Sequence, residues 1–93
     1  MATYVVLFKW TEQGIKGYKE SPGRVDAARE QMAAMGVQIK DIYWTLGDHD
    51  LVGIVEAADD ESLTKALLAL GAAGNIRTTT MRAFSKDEFS RLV

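Results

Sequence analysis

Two apolar segments separated by Gly47-Asp48 constrain this sequence more than any other feature. The segments, 42–46 and 51–55, are rich in β-branched and aromatic residues, which favour strands. Glycine at the first central position suits a two-residue type II′ turn, because its twist matches that of the strands it joins. The stretch from Val37 to Ala57 is therefore predicted to form a β-hairpin. The expected opposite pairs are Leu46–His49, Thr45–Asp50, Trp44–Leu51, Tyr43–Val52 and Ile42–Gly53.

Alternation along this hairpin gives it two faces of different character. The first face is nearly all apolar and is predicted to lie under helices; it carries Ile42, Trp44, Leu46, His49, Leu51, Gly53 and Val55. The second face mixes apolar groups with a phenol, a hydroxyl and carboxylates; it carries Asp41, Tyr43, Thr45, Asp50, Val52, Ile54 and Glu56. We expect the second face to be only partly withdrawn from water.

Composition limits the class of protein. The 93 residues suffice for one domain, 1–93, and the net charge of -2 gives no basic surface for nucleic acid. Because cysteine is absent, no disulfide, thiolate metal site or cysteine nucleophile is expected. No apolar run approaches the roughly 20 residues of a membrane span, and no secretion signal is recognisable. The expected location is the cytoplasm, and no metal or cofactor is predicted.

Two further strands flank the hairpin in the chain. Thr3–Trp10 is apolar on both faces, which is typical of a central strand. Segment 76–84 carries three threonines and two arginines, which fit an edge strand better. In the hairpin, Val37 and Ile39 are out of phase with the residues after them, so a β-bulge near Lys40-Asp41 is expected, again at an edge.

Helix signals lie between these strands. Segment 11–21 contains two glycines, which weaken any helix there. Ser21-Pro22 resembles an N-cap followed by proline at the first helical position, and Gly36 is expected to end that helix. The carboxylates of 59–61 are placed to begin a second helix, and 85–88 has the pattern of a capping box for a short third one.

The predicted element order is therefore βαββαβ with a short C-terminal helix. Right-handed crossovers then give an α+β, ferredoxin-like fold with a four-stranded antiparallel sheet of order 4-1-3-2. Two helices cover one face of such a sheet. The other face would expose Tyr43, Val52, Ile54 and one apolar set of the first strand, which is more than a monomer usually exposes. We therefore predict a homodimer that packs these faces together as a dimeric α/β barrel, with a cleft on each side.

Several segments of the chain resemble the GYD domain family of small bacterial proteins. Gly47 and Asp50 match its G-x-Y-D signature, whereas His49 stands where tyrosine is usual. Further similar segments are 11–14, Ser21-Pro22 with Arg24, 59–61 and 77–84. The resemblance spans nearly the whole chain and implies a dimeric α/β-barrel arrangement. It implies little about function.

Candidate site residues follow from the predicted faces. His49, the only histidine, is suited to act as a general base, or it is a partly exposed turn residue. Asp50 is expected beside Tyr43 on the mixed face. If the fourth strand turns Arg82 towards the cleft, that arginine would pair with Asp50 or bind an anionic ligand; the alternative is a structural ion pair. Tyr4, Trp10 and Tyr43 either line a pocket for a flat ligand or belong to core and interface.

Two classes of function remain open. The first is a non-catalytic dimeric module that binds a small organic molecule or assembles. The second is a cofactor-free enzyme, similar to monooxygenases or isomerases, acting on an aromatic or enolisable substrate in the cleft. In that case Asp50 or His49 would accept a proton and Arg82 would stabilise an oxyanion. A ring or cage larger than a dimer is a further alternative.

Overall fold

Four antiparallel strands form one sheet in the computed structural model, which describes all 93 residues. The strands are β1 (Ala2–Trp10), β2 (Gln38–Trp44), β3 (Leu51–Ala57) and β4 (Ile76–Ala83). The helices are α1 (Glu12–Lys16), α2 (Ser21–Ala34), α3 (Asp60–Ala72) and α4 (Lys86–Leu92), with a 3₁₀ turn at Tyr18–Glu20. The spatial order β2-β3-β1-β4 confirms the predicted topology, with β1 and β3 at the centre.

The register of the hairpin is the predicted one, but its turn is longer. Ile42 pairs with Gly53, and Trp44 pairs with Leu51. The strands then separate, and a bond of 2.8 Å from the Thr45 amide to the Asp50 carbonyl closes a loop of 46–49 in place of the predicted two-residue turn. Gly47 lies in this loop at φ +105°, which favours glycine.

The prediction that Leu46 would lie under helices is wrong. Its side chain is fully exposed, at 102% of the reference area, because the loop leaves the sheet before the alternation of faces reaches it. The predicted β-bulge is confirmed, since the register of β2 against β3 shifts between Ile39 and Asp41. The shift lets Ile42 lie on the same covered face as Val37 and Ile39, although it is out of phase with them in the sequence.

Helices α2 and α3 cover one face of the sheet, and the hydrophobic core lies between the two layers. The largest fully buried side chains are Met32 of α2, Val6 and Val55 of the sheet, and Val37, which directly precedes β2. The side chain of Asp59 caps α3 by accepting from the Ser62 amide at 2.8 Å. Leu63 and Ala66 of α3 are buried, and Leu67 and Leu70 pack against the core beside them.

The beginning of α2 differs from the prediction. Ser21 is the first residue of the helix and not its N-cap, because the 3₁₀ turn before it already brings the backbone into helical geometry. The Ser21 side chain is only 4% exposed, and its hydroxyl accepts a hydrogen bond of 2.9 Å from Trp44 Nε1. The bond ties the start of α2 to the end of β2.

Helix α1 forms in spite of the glycines that were expected to weaken it. Thr11 caps it by accepting from the Gly14 amide at 3.0 Å, and the Thr11 amide donates to the Asn75 carbonyl at 3.1 Å. A Cβ atom on Gly14 would lie 2.0 Å from that same Asn75 carbonyl oxygen. Glycine at this position therefore permits α1 to dock on the loop between α3 and β4.

Helix α4 begins with the predicted capping box. The Ser85 hydroxyl accepts from the Glu88 amide at 3.1 Å, and the Glu88 carboxylate accepts from the Ser85 amide at 2.9 Å. None of the helices is both long enough and apolar enough to cross a lipid bilayer.

Candidate functional site

The face of the sheet that no helix covers is apolar at its centre. Two rows of side chains cross it from β2 to β4, as the strand register shows. The rows are Tyr43–Val52–Leu7–Thr79 and Asp41–Ile54–Val5–Met81. We call the group Val5, Leu7, Tyr43, Val52, Ile54 and Met81 the open face. Tyr43 is 61% exposed and Met81 46% exposed, so these apolar groups meet water in the single chain.

Charged residues border the open face. At one end Lys9 stands opposite Arg77 in the ladder between β1 and β4. Towards the other end Lys40 lies 4.0 Å from the carboxylate of Glu56. An apolar centre with a charged rim is the usual composition of a protein–protein interface.

Arg82 lies on the helix-covered face of the sheet. It stands opposite Tyr4 in the ladder, and its guanidinium carbon is 5.7 Å from the centre of the Tyr4 ring and 4.4 Å from that of Phe84. Its Nη1 donates to the carbonyl of Thr3 at 3.0 Å and also to that of Ala83. The sequence left the phase of the fourth strand open, and the structure turns Arg82 away from the open face.

Tyr4 forms a hydrogen bond that the sequence did not reveal. Its hydroxyl donates to Oδ1 of Asp60, in the first turn of α3. This hydrogen bond, and secondarily burial, raise the pKa of Tyr4 above its ordinary value, while Arg82 acts in the opposite direction. The sequence placed Asp60 only in a group of helix-capping carboxylates. The contact joins residues far apart in the chain, so no local pattern signals it.

Asp50 lies far from Arg82. Its Oδ2 accepts from the Trp10 amide at 2.8 Å, and its own amide donates to the Phe8 carbonyl at 2.8 Å. Asp50 therefore lies at the end of β1 that contains Trp10, whereas Arg82 pairs near the other end, at Tyr4. The pair of Asp50 with Arg82, which the sequence made conditional on the phase of the fourth strand, is not formed. The Asp50 carboxylate instead holds the end of β1 against the hairpin loop.

His49 and the three aromatic candidates lie in different surroundings. The carbonyl of His49 accepts from the Thr45 hydroxyl at 2.7 Å within the hairpin loop. Tyr4 lies beside α3, Trp10 lies under α2, and Tyr43 stands on the open face. The structure thus brings together Tyr4 and Arg82, but it does not gather the three rings into one pocket.

A cavity of about 220 Å³ lies between α2 and the helix-covered face of the sheet. Trp10 and Phe8 form part of its wall, and Arg24 is the only charged residue that lines it. A second, more polar groove of about 680 Å³ runs between α3 and β4, past Tyr4 and Arg82. No three histidine, cysteine, aspartate or glutamate side chains come together in a way that would hold a metal ion.

This sheet order, with helices on one face, defines a ferredoxin-like α+β protein. A solved structure described as a dimeric ferredoxin-like protein from an uncultured marine organism matches with a TM-score of 0.50 at 12% identity, covering 92% of this chain and 95% of that one. At that identity the likeness shows the fold alone.

Within this class, the chain belongs to the GYD domain family, whose profile matches residues 4–93. It is 31% identical over 84 residues to the "Glutamine synthetase and cystathionine beta-lyase binding protein" of Thermus thermophilus, covering 89% of this chain and 88% of the relative. A crystal structure of a protein from Thermus thermophilus matches with a TM-score of 0.57 at 30% identity, covering 91% of this chain and 95% of that chain.

Proposed function

We propose that this protein is a non-catalytic, homodimeric binding module whose two subunits pack through the open face. The observation that carries the proposal is the mainly apolar centre of two side-chain rows across a sheet face that no helix covers. Each buried aliphatic side chain contributes about 1.5–3 kcal/mol relative to exposure, so covering this face is strongly favoured. A second copy presents the same complementary surface about a two-fold axis.

The test is a charge placed at the centre of the open face. Leu7 stands between Val52 and Thr79 in its row, so Leu7→Arg would bury an unpaired guanidinium in a dimer. Ala34→Arg is the matched control, since Ala34 is exposed at the end of α2. Light scattering after gel filtration is expected to show a dimer for the control and a monomer for Leu7→Arg. Unchanged mass in both variants would place the interface elsewhere.

The name of the Thermus relative supports a protein partner for this module as well. That relative is named for binding glutamine synthetase and cystathionine beta-lyase. We infer that this chain too acts by holding an enzyme, and not by transforming a substrate. Purified glutamine synthetase and cystathionine beta-lyase are the probes, and comigration of either with the dimer in gel filtration is the expected result. Absence of comigration with both at micromolar concentration counts against these partners.

A cofactor-free enzyme is the alternative that the sequence left open, and the geometry gives it less support. Its proton acceptor, Asp50 or His49, and its oxyanion partner, Arg82, lie near opposite ends of β1. One small substrate would not contact both ends. If an activity is found, Asp50→Asn and His49→Ala decide the matter: loss of turnover in either variant would favour the enzyme.

A further inference from the structure

The cavity under α2 has the walls of a small-molecule site. It lies on the helix-covered side of the sheet, so it belongs to each subunit by itself and does not touch the open face. Its walls come from α2, the end of α3 with the loop after it, and all four strands. Six of the apolar side chains are Phe8, Trp10, Val25, Ile42, Leu51 and Leu70.

The size of the cavity argues for an occupant. The cavity opens to solvent on one side and offers about 220 Å³, which is several times the space that one water molecule occupies and enough for a small organic molecule. Water is a poor filler here because eleven of the fifteen lining residues are hydrophobic and offer few hydrogen bonds. An apolar molecule restores the contacts that the walls otherwise lack.

Arg24 gives the cavity a positive end. It is the only charged residue among the lining, and its side chain is 28% exposed. Its Nη1 donates to the Gly14 carbonyl at 3.2 Å, and its Nη2 lies 3.4 Å from the mostly exposed carboxylate of Glu20. A guanidinium has five N–H donors, so donors remain for an anionic ligand. Glu20 shares the charge of Arg24, but it is mostly exposed and does not line the cavity.

Ser21 adds a buried donor to the same wall. Three residues before Arg24, it lies on the same side of α2 and lines the cavity. Its hydroxyl oxygen accepts from Trp44 Nε1, while its own proton has no acceptor in the protein. Ser21 is buried, and the free proton of its hydroxyl is suited to bind an oxygen atom of a ligand.

We propose that this cavity binds a small monocyclic aromatic carboxylate. The ring lies among Phe8, Trp10 and the aliphatic walls, where aromatic groups pack favourably. The carboxylate accepts from Arg24 and Ser21 at the end of the cavity formed by the start of α2. This site deepens the proposed binding role by naming a ligand class, but it does not depend on the dimer.

Phenylacetate is the probe, with phenylacetamide as its uncharged counterpart and acetate as its ring-free counterpart. Both tryptophans of the chain report on the site, because Trp10 lines the cavity and Trp44 bonds to Ser21. Titration calorimetry and tryptophan fluorescence are expected to show saturable binding of phenylacetate, at least tenfold weaker binding of phenylacetamide and none of acetate. No saturable binding of phenylacetate, or equal affinity for the acid and the amide, would overturn the proposal.

Two variants and a control locate the binding. Arg24→Gln is expected to weaken phenylacetate at least tenfold and to leave phenylacetamide nearly unchanged. Arg91→Gln, which removes the same charge from exposed α4, is the matched control and should bind as the wild type does. Ala28→Leu places a larger side chain into the cavity wall and should abolish binding of both probes. Wild-type affinity for phenylacetate in either cavity variant would contradict the assignment. If Ala28→Leu fails to fold, the affinity of Arg24→Gln alone tests the site.

The same titration on Leu7→Arg separates this proposal from the dimer. The cavity is expected to bind phenylacetate in the monomeric variant as it does in the wild type. A wild-type protein that binds phenylacetate but sediments as a monomer would overturn the dimer alone. A wild-type dimer that does not bind phenylacetate would overturn the cavity site alone.

Discussion

The two faces of the sheet are similar in sequence and opposite in surroundings. On the helix-covered face, Val6 and Val55 have no exposed surface. On the open face of the same two central strands, Val5 and Ile54 are only half-buried, and Tyr43 and Met81 on the edge strands are 61% and 46% exposed. Apolar composition alone therefore does not bury a surface, because an opposing layer must cover it. The helices of one chain form such a layer on one face of the sheet only.

The largest expected effect is in the covered face. Met32 of α2 is 1% exposed and packs in the core, so Met32→Ala leaves a cavity that the fixed sheet cannot fill. We expect a loss of about 3 kcal/mol in the free energy of unfolding. Because the contact lies within one subunit, the loss measured by chemical denaturation should be the same at all protein concentrations. A loss in the free energy of unfolding that grows on dilution would mean that Met32 also stabilises the dimer, and would contradict the distinction between a covered face within one subunit and an open face between two.

A truncation on the open face should behave differently. Ile54 lies between Asp41 and Val5 in its row and is partly buried in the single chain, so Ile54→Ala removes the apolar surface that remains for a second subunit to cover. We expect a loss of about 2 kcal/mol in dimer stability, seen as a higher dissociation constant in a dilution series. The fully dissociated variant should unfold with nearly wild-type stability. The comparison fails if Ile54→Ala and Met32→Ala show the same dependence on concentration.

Tyr4 tests a polar contact on the covered side. Tyr4→Phe removes the hydrogen bond to Asp60 and should cost about 1 kcal/mol at neutral pH. Because the folded pKa of Tyr4 is raised above its ordinary value of 10.0, this contribution is fully present below that value and is lost as pH rises through the folded pKa. Unfolding measured across alkaline pH should show the wild type losing its advantage over the variant there. A difference that stays constant to high pH would contradict this role.

The smallest effect is expected at α4, which lies outside both faces. Ser85→Ala removes half of the capping box, so faster amide exchange is predicted in α4 alone, with the sheet unaffected. The hydrogen bond from the Ser85 amide lowers the pKa of Glu88, so the cap is retained above the ordinary glutamate value and is lost as pH falls through the folded pKa. Hydrogen exchange at neutral and acidic pH measures both effects. Equal exchange in the variant and the wild type would show that the cap does not stabilise α4.

The fold could be predicted because strand alternation and helix caps are local signals. The hairpin register, the bulge before Asp41 and the sheet order all follow from such patterns. The loop around Gly47 was predicted too short, since strand pairing ends when the Asp50 amide bonds to β1 instead of to its hairpin partner. That competition involves a third strand and leaves no trace in the hairpin sequence.

The site was harder to predict than the fold. Arg82 faces α3 because β4 pairs with β1 in the phase that sets Arg82 opposite Tyr4. Threonines occur on both faces of β4, so the sequence did not show which of the two phases would form. Tyr4 was identified, but Asp60 was not, because their contact depends on how α3 packs. Trp10 was predicted either to line a pocket for a flat ligand with Tyr4 and Tyr43 or to belong to core and interface, and it lines a cavity that neither of those two rings lines.

The mass of the wild-type protein in solution tests the central claim most directly. Sedimentation equilibrium across a micromolar dilution series measures it without any substitution. Two copies of the 10.2 kDa chain give a dimer of about 20 kDa, and that is the predicted result. A single species of 10.2 kDa throughout the series would mean that the open face stays in water, and would contradict the account.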